Sequence, residues 1–183
     1  MQAYTSNLIE IAAELTAAYV EVFTAPPWGH RDPDQLRAAF RQRLEGDVRR
    51  PGFQAWVERD AAGRIAGFVT GWTTPAPFRT DRAYGAVLER LGAQQVEEHL
   101  VGAFEIDELG VLESARGTGL GRRLLATAIA GHPRAWLLTA DHATDTIAFY
   151  RRVGWVEPPV KGEETEVVVF LAPGSAPLTS YAE

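Results

Sequence analysis

The chain has 183 residues, with 24 acidic and 18 basic side chains and a net charge of −6. A chain of this length fits one domain that buries a full core without stabilising cross-links. Because the sequence contains no cysteine, disulfides, thiolate-ligated metals and a cysteine nucleophile are excluded. The acidic balance argues against a general nucleic-acid-binding protein.

The N-terminal residues predict no targeting segment. Residues 1–14 carry Glu10 and Glu14 but no basic residue, unlike a signal peptide. No apolar run approaches the roughly 18 residues of a membrane span. We therefore expect a cytoplasmic protein with no membrane partner.

Two amphipathic helices open the predicted fold. Apolar residues recur at helical spacing over residues 8–22, with Ser6 or Asn7 available as an N-cap. A Pro-Pro pair ends this helix. A second helix is predicted over residues 33–46, directly after Asp32.

The periodicity then changes to that of strands. Residues 52–59 and 64–73 alternate or run apolar around an Asp-Ala-Ala-Gly turn at 60–63, which predicts a hairpin. Residues 74–102 make a long connection with a helix at about 82–91. Connections of this length within a domain are often functional.

The second half of the chain alternates strands and helices. Strands are predicted over 103–112, 135–140, 155–156 and 166–171, and helices over 119–130 and 144–153. The pattern predicts an α/β (α+β) fold with a mixed central sheet flanked by helices. We expect a single domain over 1–183, with 172–183 as a C-terminal tail.

A glycine-rich turn between a strand and a helix is the most informative segment. Gly117, Gly119 and Gly121 alternate there. A helix start has unpaired N–H groups and a partial positive charge, so such a turn is suited to hold a phosphate. Nearby guanidinium groups would add donors; they belong to Arg116, Arg122 and Arg123. The missing Lys excludes a Walker loop, whereas a plain helix-capping turn stays open.

This turn resembles the acyl-CoA-binding motif of the GNAT superfamily of N-acetyltransferases. The motif segment, Arg116-Gly-Thr-Gly-Leu-Gly121, follows the family's Glu-Leu-x-Val element at 108–111. A second family element, Tyr-x-x-x-Gly-Phe, is similar to residues 149–155, where Trp155 stands at the place of the Phe. The close match covers roughly residues 103–156. The resemblance implies a GNAT fold and acetyl-CoA as co-substrate, with no metal.

The resemblance also assigns cofactor-binding residues. The pantetheine arm is expected along the backbone of Leu109, Gly110 and Val111. The pyrophosphate is expected on Arg116 and on the amides of the turn, with Arg122 in reach. Those amides belong to Gly117, Thr118, Gly119, Leu120 and Gly121.

The implied reaction is direct transfer of the acetyl group to a primary amine. A carboxylate, directly or through water, takes the amine proton. A backbone N–H at about 110–112 stabilises the oxyanion, and Tyr150 protonates the leaving thiolate. Glu108 is the first candidate for the base and Glu105 the second. An ion-pair role for these acids stays open, as does a half-exposed aromatic role for Tyr150 at the edge of the core.

The acceptor is expected to meet the loop at 25–31, with Trp28 and His30, and the acid Asp107 on the strand. A plain surface role for His30 stays open. The acids suggest a cationic amine, such as an aminoglycoside-type antibiotic, a polyamine, or a peptide amine. The remaining histidines have no partners at metal-ligand spacing and are expected at the surface or as caps; they are His99, His132 and His142.

Two positions depart from the family pattern. Glu113 replaces a frequent Pro and Ala143 a frequent Asn that contacts pantetheine. Three alternatives remain: a non-catalytic acyl-CoA-binding regulatory module, a protein N-terminal or lysine acetyltransferase, and a turn with no ligand. The sequence also leaves a homodimer open.

Overall fold

A computed structural model describes residues 1–26, 28–29, 31–160 and 165–175. The helices are α1 (Ala12–Thr24), α2 (Pro33–Asp47), α3 (Tyr84–Gln95), α4 (Leu120–Ile129) and α5 (Thr144–Arg152). The strands are β1 (Gln2–Tyr4), β2 (Gln54–Arg59), β3 (Ile65–Thr73), β4 (Phe104–Val111), β5 (Ala135–Ala140) and β6 (Val167–Leu171). The six strands form one mixed sheet in chain order, which confirms the predicted fold class.

The predicted β2–β3 hairpin is confirmed, and its turn shows why. Asp60 accepts hydrogen bonds on Oδ1 from the N–H groups of Ala62 and Arg64, each at 2.9 Å. Its own N–H donates to the carbonyl of Arg64 at 2.8 Å. An acid that binds the backbone this way closes a turn locally.

Helix α2 begins where the sequence predicts. Asp32 accepts the N–H of Gln35 at 2.8 Å, and Pro33 occupies the first helical position. The cap satisfies one of the helix's unpaired donors. Its inward positions, Phe40 and Leu44, are buried.

The N-terminus and the long connection differ from prediction. Strand β1 is only three residues long, too short to leave a periodic signal. Residues Ser6–Ile11 form a 3-10 helix before α1, so the α-helix begins later than predicted. Helix α3 breaks at Gly92 (φ 77°) and is followed by a π-helical turn, Val96–Leu100.

The chain divides into two compact units. The first comprises Met1–Trp72 with Ile106–Ala130, and the second Thr73–Glu105 with the described residues from Gly131 onward. The first unit's core is built largely from α1, α2, β2 and β3; the second's from α3, β5 and β6. Among the described residues, no helix is long and apolar enough to cross a membrane.

Candidate active site

The glycine-rich turn of the first unit has left-handed backbone at two positions. Gly117 has φ 76° and Gly119 has φ 77°, a region that side chains other than glycine enter at a cost. A Cβ at Gly117 would meet nothing within 4 Å, and residues 117–119 are exposed. The turn is therefore open on its outer side, while Gly121 already lies in α4.

The N-terminus of α4 is suited to an anion. Gly119 is its N-cap, and no side chain of the described residues caps the helix; its first turn also lacks an acid. Uncapped N–H groups at a helix start carry partial positive charge. The uncapped N–H groups and the missing acid at the start of α4 therefore fit a negatively charged group such as a pyrophosphate.

Two arginines brace this turn through backbone carbonyls. Arg123 donates from Nη1 to the carbonyl of Thr118 at 3.0 Å, and Arg116 donates from Nε to that of Val111 at 3.4 Å. The Thr118 hydroxyl donates to the carbonyl of Ala115 at 2.7 Å. Arg122 is exposed. The arginines thus order the turn as well as adding positive charge.

The end of β4 narrows the choice of oxyanion donor. The N–H of Leu112 donates to the carbonyl of Ala66 at 3.0 Å, which removes it from the predicted set. Gly110 is buried, and a Cβ there would lie 2.5 Å from two ring carbons of Phe68. Only glycine lets Phe68 approach this strand so closely.

Glu108, the first candidate for the base, forms an ion pair with a partner that the sequence did not reveal. Arg43 in α2 donates from Nη2 to Glu108 Oε1. Arg43 Nε also lies 3.5 Å from Asp47 Oδ2. The side chain of Glu108 retains 12% exposure. Glu108 therefore does take part in an ion pair, as the sequence left open. Its partner Arg43 is 65 positions away along the chain.

The same cluster perturbs the tyrosine beside it. Burial and the negative charge of Glu108 together raise the pKa of Tyr19 to about 12, against the opposing effect of Arg43. Burial disfavours the charged form of Arg43, but the charges of Glu108 and Asp107 outweigh it and raise the Arg43 pKa above its usual range. Asp107 therefore acts on the same guanidinium as Glu108.

Glu105, the second candidate for the base, belongs to the second unit. It is 3% exposed, and the Tyr84 hydroxyl donates to its Oε1 at 2.5 Å. Arg79 lies 4.9 Å from the Tyr84 ring. A carboxylate so enclosed is poorly accessible to an incoming amine, which favours Glu108 over Glu105.

Tyr150 in α5 is buried rather than half-exposed. Its exposure is 6%, and its ring lies 5.4 Å from Phe170 and 6.2 Å from Trp155. The N–H of Trp155 donates to the Tyr150 carbonyl at 3.0 Å. Gly154 between them has φ 90°, so the second motif forms a tight helix end that fixes Tyr150.

Trp28, the predicted substrate residue of the α1–α2 loop, packs against other residues of the first unit. Its ring centroid is 6.1 Å from that of Phe23, and the Arg31 guanidinium lies 5.4 Å from it. His30 lies outside the described residues. The acceptor role of this loop stays a prediction.

The prediction for the other histidines was partly wrong. His132 stacks on Phe104 with ring centroids 4.1 Å apart, and burial lowers its pKa. The His99 side chain is only 11% exposed, whereas that of His142 is 62% exposed. In the part of the chain that the structure describes, no three His, Asp or Glu residues group as metal ligands.

Comparison with known proteins assigns the class. Residues 10–155 match the model of the acetyltransferase (GNAT) family. Because this match covers most of the chain, the chain belongs to the GNAT family, and it is an N-acetyltransferase. No protein of curated function matches the sequence significantly.

Solved structures share the fold at low sequence identity. The histone acetyltransferase HPA2 and related acetyltransferase from Corynebacterium glutamicum is 23% identical over 92% of this chain and 93% of its own, with a TM-score of 0.60. The PaiA N-acetyltransferase from Thermoplasma acidophilum, in complex with coenzyme A, is 11% identical over 93% and 98%, with a TM-score of 0.58. NAA60 from Arabidopsis thaliana, in complex with a bisubstrate analogue, is 16% identical over 93% and 96%, with a TM-score of 0.54. At these identities the likeness is one of fold.

Proposed function

We propose that this protein moves an acetyl group from acetyl-CoA to a primary amine by direct attack. The observation that carries the proposal is the open turn with two left-handed glycines before the uncapped N-terminus of α4. A coenzyme A complex in a structure of the same fold supports the choice of ligand. The thioester supplies the activated acetyl group.

The proposed binding of the co-substrate follows the order of β4 and its turn. The backbone of Leu109, Gly110 and Val111 pairs with the pantetheine arm. The pyrophosphate lies against the amides of residues 117–121, where helix N–H groups and Arg116 meet its negative charge. The exposed Arg122 adds a further guanidinium.

The proposed chemistry needs a base, an oxyanion donor and an acid. Glu108 removes the proton of the amine, since alkylammonium groups ionise only near pH 10.4 in water. The N–H of Gly110 or Val111 stabilises the developing negative charge on the thioester oxygen. Tyr150 gives its hydroxyl proton to the leaving thiolate.

We propose a cationic small-molecule amine as the acceptor, of the aminoglycoside or polyamine type. Asp107 and the loop carrying Trp28 and His30 are the proposed acceptor contacts. Acceptance of a peptide amine is the second candidate, favoured by the bisubstrate complex of NAA60. A cytoplasmic location belongs to this proposal, and so does the absence of nucleic-acid and membrane partners.

The experiment that tests the function is free-thiol release from acetyl-CoA across a panel of amines. The panel includes an aminoglycoside, a polyamine, an amino acid and a short peptide. Turnover with one of the two small-molecule cations and not the peptide supports the proposal. Calorimetric binding of CoA without turnover by any amine would instead support a non-catalytic CoA-binding module. Absence of CoA binding would mean that the turn holds no ligand.

A further inference from the structure

A chain of alternating charges runs from the end of α2 to β4. Arg50 donates from Nε to Asp47 Oδ1 at 2.8 Å, Asp47 Oδ2 lies 3.5 Å from Arg43 Nε, and Arg43 pairs with Glu108. The side chains of Asp47 and Glu108 are only 7% and 12% exposed. Water and salt therefore screen these pairs weakly.

Aromatic rings restrict the guanidinium at the centre of this chain. Arg43 lies 5.8 Å from the Tyr19 ring and 5.7 Å from the Phe40 ring. Those two rings stack on each other at 4.0 Å with an interplanar angle of 15°. The rings therefore restrict where the planar guanidinium can lie, and its Nη2 contacts one carboxylate oxygen of Glu108, Oε1.

We propose that Arg43 is a positioning residue for acetyl transfer, holding the Glu108 carboxylate ionised and oriented to accept the proton of the acceptor amine. The inference rests on the proposed role of Glu108 as base. The ammonium gives one proton to Glu108, the nitrogen lone pair forms the C–N bond, and the C–S bond breaks with its electrons on sulfur. The sulfur takes its proton from Tyr150, as in the proposed function, and the second proton lost from nitrogen restores the tyrosine hydroxyl. Arg43 touches neither reactant in this scheme and acts through Glu108.

The charge environment of Glu108 sets the expected pH dependence. Arg43 and Asp47 of α2, Tyr19 of α1 and Asp107 on its own strand are the ionisable groups of this cluster. Arg31 also acts on Tyr19. Arg43 is a cation in direct contact with Glu108. Removing it makes the carboxylate easier to protonate, so the base is lost at a higher pH.

The first test measures kcat/KM against pH for Arg43→Met, Arg43→Lys and wild type with the best amine of the panel. In wild type, kcat/KM should fall at acidic pH where the base becomes protonated; this part of the profile is the acidic limb. We expect the acidic limb of Arg43→Met to lie about one to three pH units higher than that of wild type. At a pH below both limbs, kcat/KM of the variant should then be lower than that of wild type by about tenfold for each pH unit of this difference. Arg43→Lys should recover part of the difference. Arg50→Met is the matched control: it removes a neighbouring guanidinium from Asp47 but not from Glu108, and should leave the limb in place.

The second test is independent of turnover. Carboxyl 13C NMR of Glu108, assigned with Glu108→Gln, follows its titration in wild type, Arg43→Met and Arg50→Met. A higher titration midpoint of Glu108 in Arg43→Met, but not in Arg50→Met, supports the inference. The same midpoint in all three proteins overturns it. If the NMR midpoint moves while the acidic limb does not, Arg43 has no catalytic positioning role. If wild type turns over no amine, the proposed function fails, and the NMR titration still decides whether Arg43 controls the carboxylate.

Discussion

Replacing Gly110 by alanine tests whether the strand beside the proposed cofactor site requires a residue without a side chain. The new Cβ would lie 2.5 Å from Cε1 and Cζ of Phe68, far inside ordinary contact distance. Phe68 is 0% exposed and belongs to the first unit's core, so its ring has little room to move. The backbone of Gly110 does not have a positive φ, so the cost comes from packing alone.

The magnitude follows from known costs of overpacking. Forcing one extra methyl into a packed core costs about 1–3 kcal/mol. For a chain of 183 residues, each kcal/mol lowers the melting temperature by about 2–4 °C. We therefore expect Gly110→Ala to melt about 2–12 °C below wild type. Its KM for acetyl-CoA should also rise, because a displaced β4 misplaces the proposed pantetheine contacts.

Thermal unfolding of a small set of variants isolates the cause. Gly46→Ala is the matched control, because its Cβ would meet nothing within 4 Å and the position lies in α2; it should stabilise the protein by about 0.5–1 kcal/mol. The double variant Gly110→Ala/Phe68→Leu should be less destabilised than the sum of its parts, because the smaller side chain relieves the clash. A Gly110→Ala protein as stable as wild type, or strict additivity in the double variant, would refute the reasoning.

Three further predictions address the turn, the acid and pH stability. Gly119→Glu should weaken CoA binding at least about tenfold by calorimetry, since it sets a negative charge against the pyrophosphate at the start of α4; Gly119→Ala should weaken it less, and equal affinities of Gly119→Glu and wild type would contradict the site. Tyr150→Phe should lower kcat about a hundredfold or more with the acetyl-CoA dissociation constant nearly unchanged; unaltered kcat would remove Tyr150 from the acid role. Burial lowers the pKa of His132, so below about pH 6.5 the unfolded chain binds more protons and stability falls as pH falls toward the folded pKa. His132→Phe keeps a ring against Phe104 and should flatten this part of the stability profile in denaturant titrations at pH 5–7; an unchanged slope would count against it.

Local features of the fold were predictable because their causes are local. The hairpin turn depends on Asp60 binding backbone groups within four residues, and α2 begins at the cap formed by Asp32. The glycine-rich turn depends on Gly117 and Gly119 in left-handed backbone. In each case the residue type and its position already contain the physical reason.

The environment of the candidate base was not predictable in the same way. Glu108 stands out in the sequence as an acid on a central strand, but its partner Arg43 belongs to a helix early in the chain. Helical spacing does not distinguish Arg43 from the exposed Arg37 and Arg41 of the same helix. Only the packing of α2 within the first unit selects which arginine meets the acid. The burial of Tyr150 depends in the same way on Phe170, 20 positions further on.

The net charge of −6 conceals an uneven distribution of charge within residues 108–123. The acids Glu108 and Glu113 come first, and Arg116, Arg122 and Arg123 come after them. Glu108 is paired with Arg43, which offsets part of its negative charge. The uncapped turn and the arginines that brace or flank it follow. In the proposed function, a polyanionic co-substrate approaches this stretch more readily because Arg43 offsets part of the negative charge of Glu108. Under the proposed function, loss of Arg43 would increase the repulsion between Glu108 and the co-substrate and would release the orientation of the base. The proposed role of Arg43 therefore covers both the proton transfer and the charge balance of the strand.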